Sequence, residues 1–223
     1  MSTVEVRTTY LTLYNVCQAF GWLYVLYKSI HGTIDASSLS GAMPAAGSSV
    51  ALFQMVSFLE ILHALLGLVR GSPMAALLQW VGRSNVLYAI VLAIPEIKSG
   101  VAAGAMVLAW SLSEIIRYPW YAAQLKGACP FWLTWLRYTM FIPLYPVGVL
   151  GEIVSIYNAL PTIASKHMYS ISMPNSWNFG FDYAVFLKLV LLVYPLLWWQ
   201  LYAMLLKTRS KKLPGSFMKK KKM

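Results

Sequence analysis

Long apolar stretches alternate with short polar ones along the whole chain. Six stretches of roughly twenty to thirty residues are mainly apolar, and each is long enough to cross the hydrocarbon core of a bilayer as a helix. They are residues 10–30, 50–69, 74–94, 101–121, 131–160 and 182–206. The pattern predicts an all-α, polytopic membrane helix bundle with about six transmembrane helices.

The segments between these stretches are predicted to be loops and turns. Residues 31–49 are small, polar and rich in Gly and Ser, and residues 161–181 carry Pro, Gly and polar side chains, both typical of loops. Residues 1–206 are therefore interpreted as a single transmembrane domain. Residues 207–223 follow it as a basic tail.

Composition and charge support a membrane location. Only 11% of the residues are charged, against about 25% in ordinary soluble domains, and the mean hydropathy is +0.61. Eight of the eighteen Lys and Arg residues lie in the tail, so the net charge of +11 does not indicate a nucleic-acid-binding surface. The positive-inside rule places this tail, and with six spans both termini, in the cytosol.

Ionisable side chains inside the predicted helices are the first candidates for function, because charged groups are costly in a bilayer. Glu60 and His63 are three residues apart, as are Glu114 and Arg117, so each pair shares a helix face. Arg83 lies in the middle of the third stretch. Glu60 and His63 are compatible with a hydrogen bond between helices, which is favoured, or with a contribution to a site. Arg83, with Glu60 or Glu114 as its partner, and the pair Glu114–Arg117 are compatible both with a structural ion pair and with contact to a ligand.

The fifth stretch combines three reactive groups in one apolar segment: Arg137, Tyr145 and Glu152. In a dry site the charged form of a carboxylate is disfavoured, so Glu152 is expected to accept a proton readily at neutral pH. Tyr145 is a neutral donor that can protonate or bind a departing oxygen. Together they suit proton abstraction next to a carbonyl with loss of water.

The spacing of this pair requires a particular backbone. Residues seven apart share a helix face but are roughly 10 Å apart along the axis. Pro146 is expected to bend or break the helix so that Tyr145 and Glu152 converge. Gly148 and Gly151 are expected to allow close approach of a neighbouring backbone.

Several runs carry a resemblance that covers nearly the whole chain. They are LEILHALLGLVR (59–70), SNVLYAIVL (84–92), WSLSEIIRYPWY (110–121), RYTMFIPLYP (137–146) and LYPVGVLGE (144–152). In these runs the chain resembles the 3-hydroxyacyl-CoA dehydratase family, formerly called protein-tyrosine-phosphatase-like, and especially its plant members of the PASTICCINO2 type.

The resemblance implies a multi-pass enzyme of the endoplasmic reticulum membrane that dehydrates very-long-chain (3R)-3-hydroxyacyl-CoA to trans-2-enoyl-CoA during fatty acid elongation, without a metal or redox cofactor. It implies catalytic roles for Tyr145 and Glu152, with Arg137 and Arg117 in supporting positions. Its implied partners are acyl-CoA, membrane lipid, and the condensing enzyme and two reductases of the elongase complex.

Arginines near the cytosolic openings, among Arg70, Arg83, Arg117 and Arg137, are expected to contact CoA phosphates. Lys220 and Lys221 fit a dilysine retrieval signal, or a generic polybasic contact with anionic lipid.

Two other classes of function remain as alternatives. A tyrosine phosphatase needs His-Cys-x5-Arg, and between His63 and Arg70 this chain has Ala64 where the nucleophile belongs. Phosphatase chemistry is excluded at this motif, which leaves a catalytically dead scaffold that binds phosphoproteins. A small transporter is the other alternative, although the chain lacks the repeated halves that many transporters show.

Overall fold

The computed structural model describes residues 3–213 except residues 175 and 177. In this part of the chain the backbone forms α-helices, one short 3-10 turn (Leu39–Gly41) and one π-helical segment (Asn85–Val91). The α-helices are α1 (Thr3–Asp35), α2 (Ala42–Val56), α3 (Leu59–Leu65), α4 (Pro73–Ser84), α5 (Pro95–Lys98), α6 (Val101–Leu125), α7 (Phe131–Thr139), α8 (Phe141–Ser165) and α9 (Tyr183–Lys212).

Four helical segments are long and apolar enough to cross a membrane. They are Leu39–Leu65, Val101–Leu125, Phe131–Ser165 and Tyr183–Lys212. Large apolar side chains on α9 point outward, with Leu192 74% exposed and Leu196 67% exposed, which is the pattern expected of a surface that faces lipid. The structure thus confirms an all-α membrane bundle. The predicted stretch 10–30 lies within α1, and residues 74–91 of the stretch 74–94 lie within α4 and the π-helical segment, but neither stretch is among these four.

The predicted loop at residues 31–49 is wrong. Helix α1 continues to Asp35, and after the 3-10 turn α2 begins at Ala42. The small residues in this region allow close packing instead of marking a loop. A Cβ atom at Gly32 would lie 2.4 Å from the carbonyl oxygen of Gly41 and 2.5 Å from the Cβ of Ala45, so only glycine fits at that crossing.

The later boundaries also differ from the prediction. Residues 161–165, expected in a loop, extend α8 to Ser165. Helix α9 starts where predicted, because the Asp182 carboxylate accepts a hydrogen bond from the Val185 backbone N–H at 3.0 Å and caps the helix. At its other end α9 runs on to Lys212, so the first six residues of the predicted tail are helical.

Helix α6 is the central element of the bundle, in contact with α1 on one flank and α8 on the other. Helix α8 packs in turn against α9. Buried apolar side chains from these helices form the main core, including Trp22 of α1, Met106 of α6 and Ile156 of α8. This arrangement places the polar positions of α6 between those of α1 and those of α8.

Candidate active site

Helices α6 and α8 are in backbone contact at Gly151. A Cβ atom at this position would lie 2.8 Å from the carbonyl oxygen of Ala102 and 2.9 Å from the Cβ of Met106. One turn earlier, the indole of Trp110 covers Gly148, where a Cβ atom would lie 3.6 Å from the Trp110 Cδ1. The prediction of close approach is confirmed at Gly151, where it brings α8 directly onto α6. It is wrong for Gly148, because a Cβ atom there would make only ordinary side-chain contacts.

Glu152 follows Gly151 and is buried in this contact, with 7% of its surface exposed. Its Oε1 accepts a hydrogen bond from the Trp110 indole N–H of α6 at 2.9 Å. Its Oε2 accepts a hydrogen bond from the Tyr194 hydroxyl of α9. Donors from two different helices therefore fix both carboxylate oxygens, and a buried carboxylate held in this way has a defined orientation.

Tyr145 lies on the same helix, and aromatic rings of α9 pack against its ring. It stacks on Tyr202 with ring centroids 6.3 Å apart and planes 9° from parallel, and the Trp198 centroid lies 6.4 Å away. The Tyr202 hydroxyl donates to the Ile142 carbonyl at 3.3 Å. Pro146 has no N–H to offer that carbonyl, so the phenol of Tyr202 satisfies an acceptor that the proline leaves open.

The predicted break between Tyr145 and Glu152 is not present. Helix α8 is assigned as one α-helix through Pro146, and the interruption lies at Met140, ahead of both residues. Seven residues of helix place the two side chains on one face, roughly 10 Å apart along the axis. A proline in the early part of a helix is tolerated when another donor serves the freed carbonyl, as Tyr202 does here.

A second polar cluster lies further along α6. Glu114, 3% exposed, pairs with Arg83 of α4 at 2.5 Å between Oε1 and Nη1. Its other oxygen pairs with Arg117 Nε at 2.6 Å. Arg117 Nη2 reaches Glu60 of α3 at 3.1 Å. Two carboxylates and two guanidinium groups thus alternate, and their charges cancel.

Aromatic hydroxyl groups complete this cluster. Glu60 Oε1 accepts hydrogen bonds from the Tyr118 hydroxyl at 2.6 Å and from the Tyr14 hydroxyl at 3.3 Å. His63 Nε2 is 2.9 Å from the Tyr10 hydroxyl of α1. Glu60 and His63 therefore both form hydrogen bonds to side chains of other helices.

Trp110 connects the two clusters. The Arg83 guanidinium carbon lies 4.2 Å from the centroid of the Trp110 ring, a cation–π contact, while the same indole donates to Glu152. A continuous series of contacts consequently runs from Glu60 through the ion pairs and Trp110 to Glu152.

A cavity of about 1040 Å³ opens beside the second cluster. Its inner wall includes Tyr14, Glu60, His63, Arg83 and Arg117, and its outer part includes Arg7, Arg70 and Lys212. Because Arg7 and Lys212 line the same cavity, the two ends of the described chain lie at the same end of the bundle. Neither Tyr145 nor Glu152 lines this cavity; Arg83 and Trp110 lie between it and the carboxylate.

The structure brings most of the predicted residues into one connected region. Arg137 is the exception, since it lies on α7 with its guanidinium 6.0 Å from the centroid of the Trp120 ring. Lys220 and Lys221 fall outside the described residues.

Sequence reasoning missed Trp110 and Tyr194, which contact Glu152 directly. In residues 3–213, with 175 and 177 left aside, no group of three or more His, Cys, Asp or Glu side chains is arranged to hold a metal ion.

Comparison with known proteins places the chain in a family. The family described as "Protein tyrosine phosphatase-like protein, PTPLA" matches residues 54–215. The chain belongs to the PTPLA family. Despite that family name, the chain has alanine at position 64, between His63 and Arg70, where phosphatase chemistry needs a cysteine nucleophile.

Relatives of this PTPLA chain carry dehydratase names. "Very-long-chain (3R)-3-hydroxyacyl-CoA dehydratase 2" of Mus musculus is 37% identical over 206 residues, which cover 92% of this chain and 81% of the relative. "Very-long-chain (3R)-3-hydroxyacyl-CoA dehydratase PASTICCINO 2" of Arabidopsis thaliana is 41% identical over 191 residues, covering 85% and 86%. No solved structure gives a significant match.

Proposed function

We propose that this protein is a hydro-lyase that converts very-long-chain (3R)-3-hydroxyacyl-CoA to trans-2-enoyl-CoA. Relatives with this printed activity match most of the chain at 35–41% identity. The observation that carries the proposal is Glu152. A carboxylate inside a membrane helix costs roughly 2.5–3.5 kcal/mol at mid-bilayer, so its burial with both oxygens held by hydrogen bonds indicates use in a reaction.

In the proposed reaction Glu152 and Tyr145 act as base and acid. The Glu152 carboxylate removes the C2 proton, the electron pair of that C–H bond becomes the C2–C3 double bond, and the C3–O bond breaks. The Tyr145 hydroxyl gives its proton to the departing hydroxyl, which leaves as water. Glu152 then releases its proton to water and the tyrosinate takes up a proton from water, which restores both groups. The reaction needs no redox cofactor, because no electrons leave the substrate, and in this proposal Tyr145 and Glu152 supply the acid and the base without a metal ion.

The proposed location is the endoplasmic reticulum membrane, with six passes and both termini in the cytosol. The cavity shared by Arg7 and Lys212 supports this topology, since an even number of passes returns the chain to its starting end. Acyl-CoA would then enter from the cytosol, and the acyl chain would lie among apolar side chains and lipid. The condensing enzyme and the two reductases of the elongation cycle are the proposed partners, and Lys220 and Lys221 the proposed retrieval signal.

The test is turnover of 3-hydroxyacyl-CoA by purified protein in detergent. Tyr145→Phe and Glu152→Gln are each expected to lower kcat by roughly 10²–10⁴-fold, the usual contribution of one proton-transfer group. Tyr157→Phe is the matched control, because Tyr157 lies on the same helix with 66% of its surface exposed. Variants that fold and dehydrate at the wild-type rate would remove Tyr145 and Glu152 from the mechanism. Wild-type protein without turnover would instead favour a binding scaffold or a transporter.

A further inference from the structure

The outer part of the cavity is strongly cationic. Five of its lining residues carry a positive charge and one, Glu60, is a carboxylate. Arg83 and Arg117 are neutralised at the inner wall by Glu114 and Glu60. The three remaining cations, Arg7, Arg70 and Lys212, form what we call the rim, and among the cavity residues no carboxylate faces them apart from the already paired Glu60.

The rim is assembled from three separate parts of the chain. Arg7 comes from the start of α1, Arg70 from the turn between α3 and α4, and Lys212 from the end of α9. All three are exposed, whereas Arg83 and Arg117 are mostly buried. The Arg7 side chain is oriented by a hydrogen bond from its Nε to the Leu68 carbonyl at 2.8 Å. Exposed cations brought together around a cavity suit a ligand with several phosphate groups.

We propose that this rim binds the 3′-phosphate and the diphosphate of the CoA nucleotide, an inference that rests on the proposed function. The volume of about 1040 Å³ lies just above the roughly 300–1,000 Å³ usual for small-molecule sites, and it accommodates a nucleotide. The pantetheine arm then extends inward past Arg83. Since Arg83 contacts Trp110 and Trp110 contacts Glu152, that direction leads toward the proposed base.

The experiment compares two thioesters of the same 3-hydroxyacyl chain, one with CoA and one with pantetheine, which lacks the nucleotide. In the triple variant Arg7→Gln, Arg70→Gln, Lys212→Gln, the KM for the CoA thioester is expected to rise roughly tenfold or more, with kcat unchanged. The kinetics of the pantetheine thioester are expected to match those of the wild type. Lys126→Gln is the matched control, because Lys126 lines a neighbouring cavity of about 320 Å³ beside α1 and not this one.

Two kinetic results would overturn the proposal. One is an unchanged KM for the CoA thioester in the triple variant. The other is an equal loss with both thioesters, which would show that the rim supports the fold or binds lipid headgroups. Binding of adenosine 3′,5′-bisphosphate, followed by calorimetry, does not depend on turnover. If the wild type binds adenosine 3′,5′-bisphosphate and the triple variant does not, the rim is supported as a nucleotide-phosphate site even if the dehydratase proposal fails. If the wild type does not bind this nucleotide, the rim proposal is contradicted.

Discussion

The contact between α6 and α8 at Gly151 predicts the effect of adding a single methyl group. In Gly151→Ala the new Cβ would lie 2.8 Å from the Ala102 carbonyl oxygen and 2.9 Å from the Met106 Cβ. Optimal contacts between carbon atoms are about 3.5–4.0 Å, so the helices must separate by roughly 0.6–1 Å. Backbone atoms of α6 cannot rotate away as a side chain would, and overpacking of this kind typically costs about 1–3 kcal/mol.

Alanine also favours a helix over glycine by up to about 1 kcal/mol, so the net destabilisation is expected to be about 1–2 kcal/mol. For a chain of this length that lowers Tm by about 2–8 °C. Activity is expected to suffer more than stability. The same separation moves Glu152 away from Trp110, and displacement of a reactive group by about 1 Å can cost about 100-fold in rate.

Gly148→Ala is the matched control, three residues away on the same helix. Its Cβ would lie 3.6 Å from the Trp110 Cδ1 and 3.8 Å from the Ala109 Cβ, both ordinary contacts. We expect this variant to keep the wild-type kcat and a Tm at least as high. The assays are kcat at saturating 3-hydroxyacyl-CoA and thermal unfolding in detergent at one scan rate. Wild-type behaviour of Gly151→Ala, or equal damage from Gly148→Ala, would refute the idea that the close helix contact positions Glu152.

Two further predictions concern the buried polar contacts. Tyr194→Phe removes one of the two hydrogen-bond donors to Glu152. We therefore expect kcat to fall roughly 10-fold to 100-fold while KM stays within about twofold. A change in KM alone would show that Tyr194 contributes to substrate binding instead. Glu114→Gln leaves Arg83 and Arg117 without their shared carboxylate, and we expect about 3–5 kcal/mol of destabilisation, seen as a large drop in Tm. Glu96→Gln, at an exposed position, serves as the control for this measurement, and a Tm of Glu114→Gln equal to that of Glu96→Gln would contradict the prediction.

Local spacing predicted the contacts that lie within one helix or depend on backbone approach. The three-residue spacing of Glu114 and Arg117 indicated their ion pair, and Gly151 indicated close approach of a neighbouring helix; the structure has both. Gly148, predicted to allow the same approach, makes only ordinary contacts. Glu114 was one of two proposed partners for Arg83, and it is the partner observed. Charges in an apolar helix are conspicuous in a sequence, and few opposite charges are available to pair with them.

The partners of Glu152 could not be predicted in the same way. Trp110 and Tyr194 are aromatic residues in apolar helices, where most such side chains only fill space, and nothing in the sequence shows which rings turn a polar tip toward a carboxylate. Helix periodicity predicts which face of its own helix a residue lies on, but not which neighbouring helix that face contacts. The same limit explains the error at residues 31–49, because small residues mark loops and tight helix crossings alike, and Gly32 lies at a crossing.

Two phenols flank Glu152, and their contacts assign them different roles. The Tyr194 hydroxyl donates to the carboxylate, so its proton points at the base and not at a substrate. Tyr145 is held by its ring, stacked on Tyr202, and within the described chain no hydrogen bond engages its hydroxyl. An acid that protonates a departing hydroxyl needs a proton free to point at it, which favours Tyr145 as the acid and Tyr194 as the residue that orients the base. C2 and the 3-hydroxyl oxygen of the substrate are only two bonds apart. The Tyr145 and Glu152 side chains must therefore reach toward each other across their separation of roughly 10 Å along α8, with the 3-hydroxyl facing Tyr145 and C2 facing Glu152.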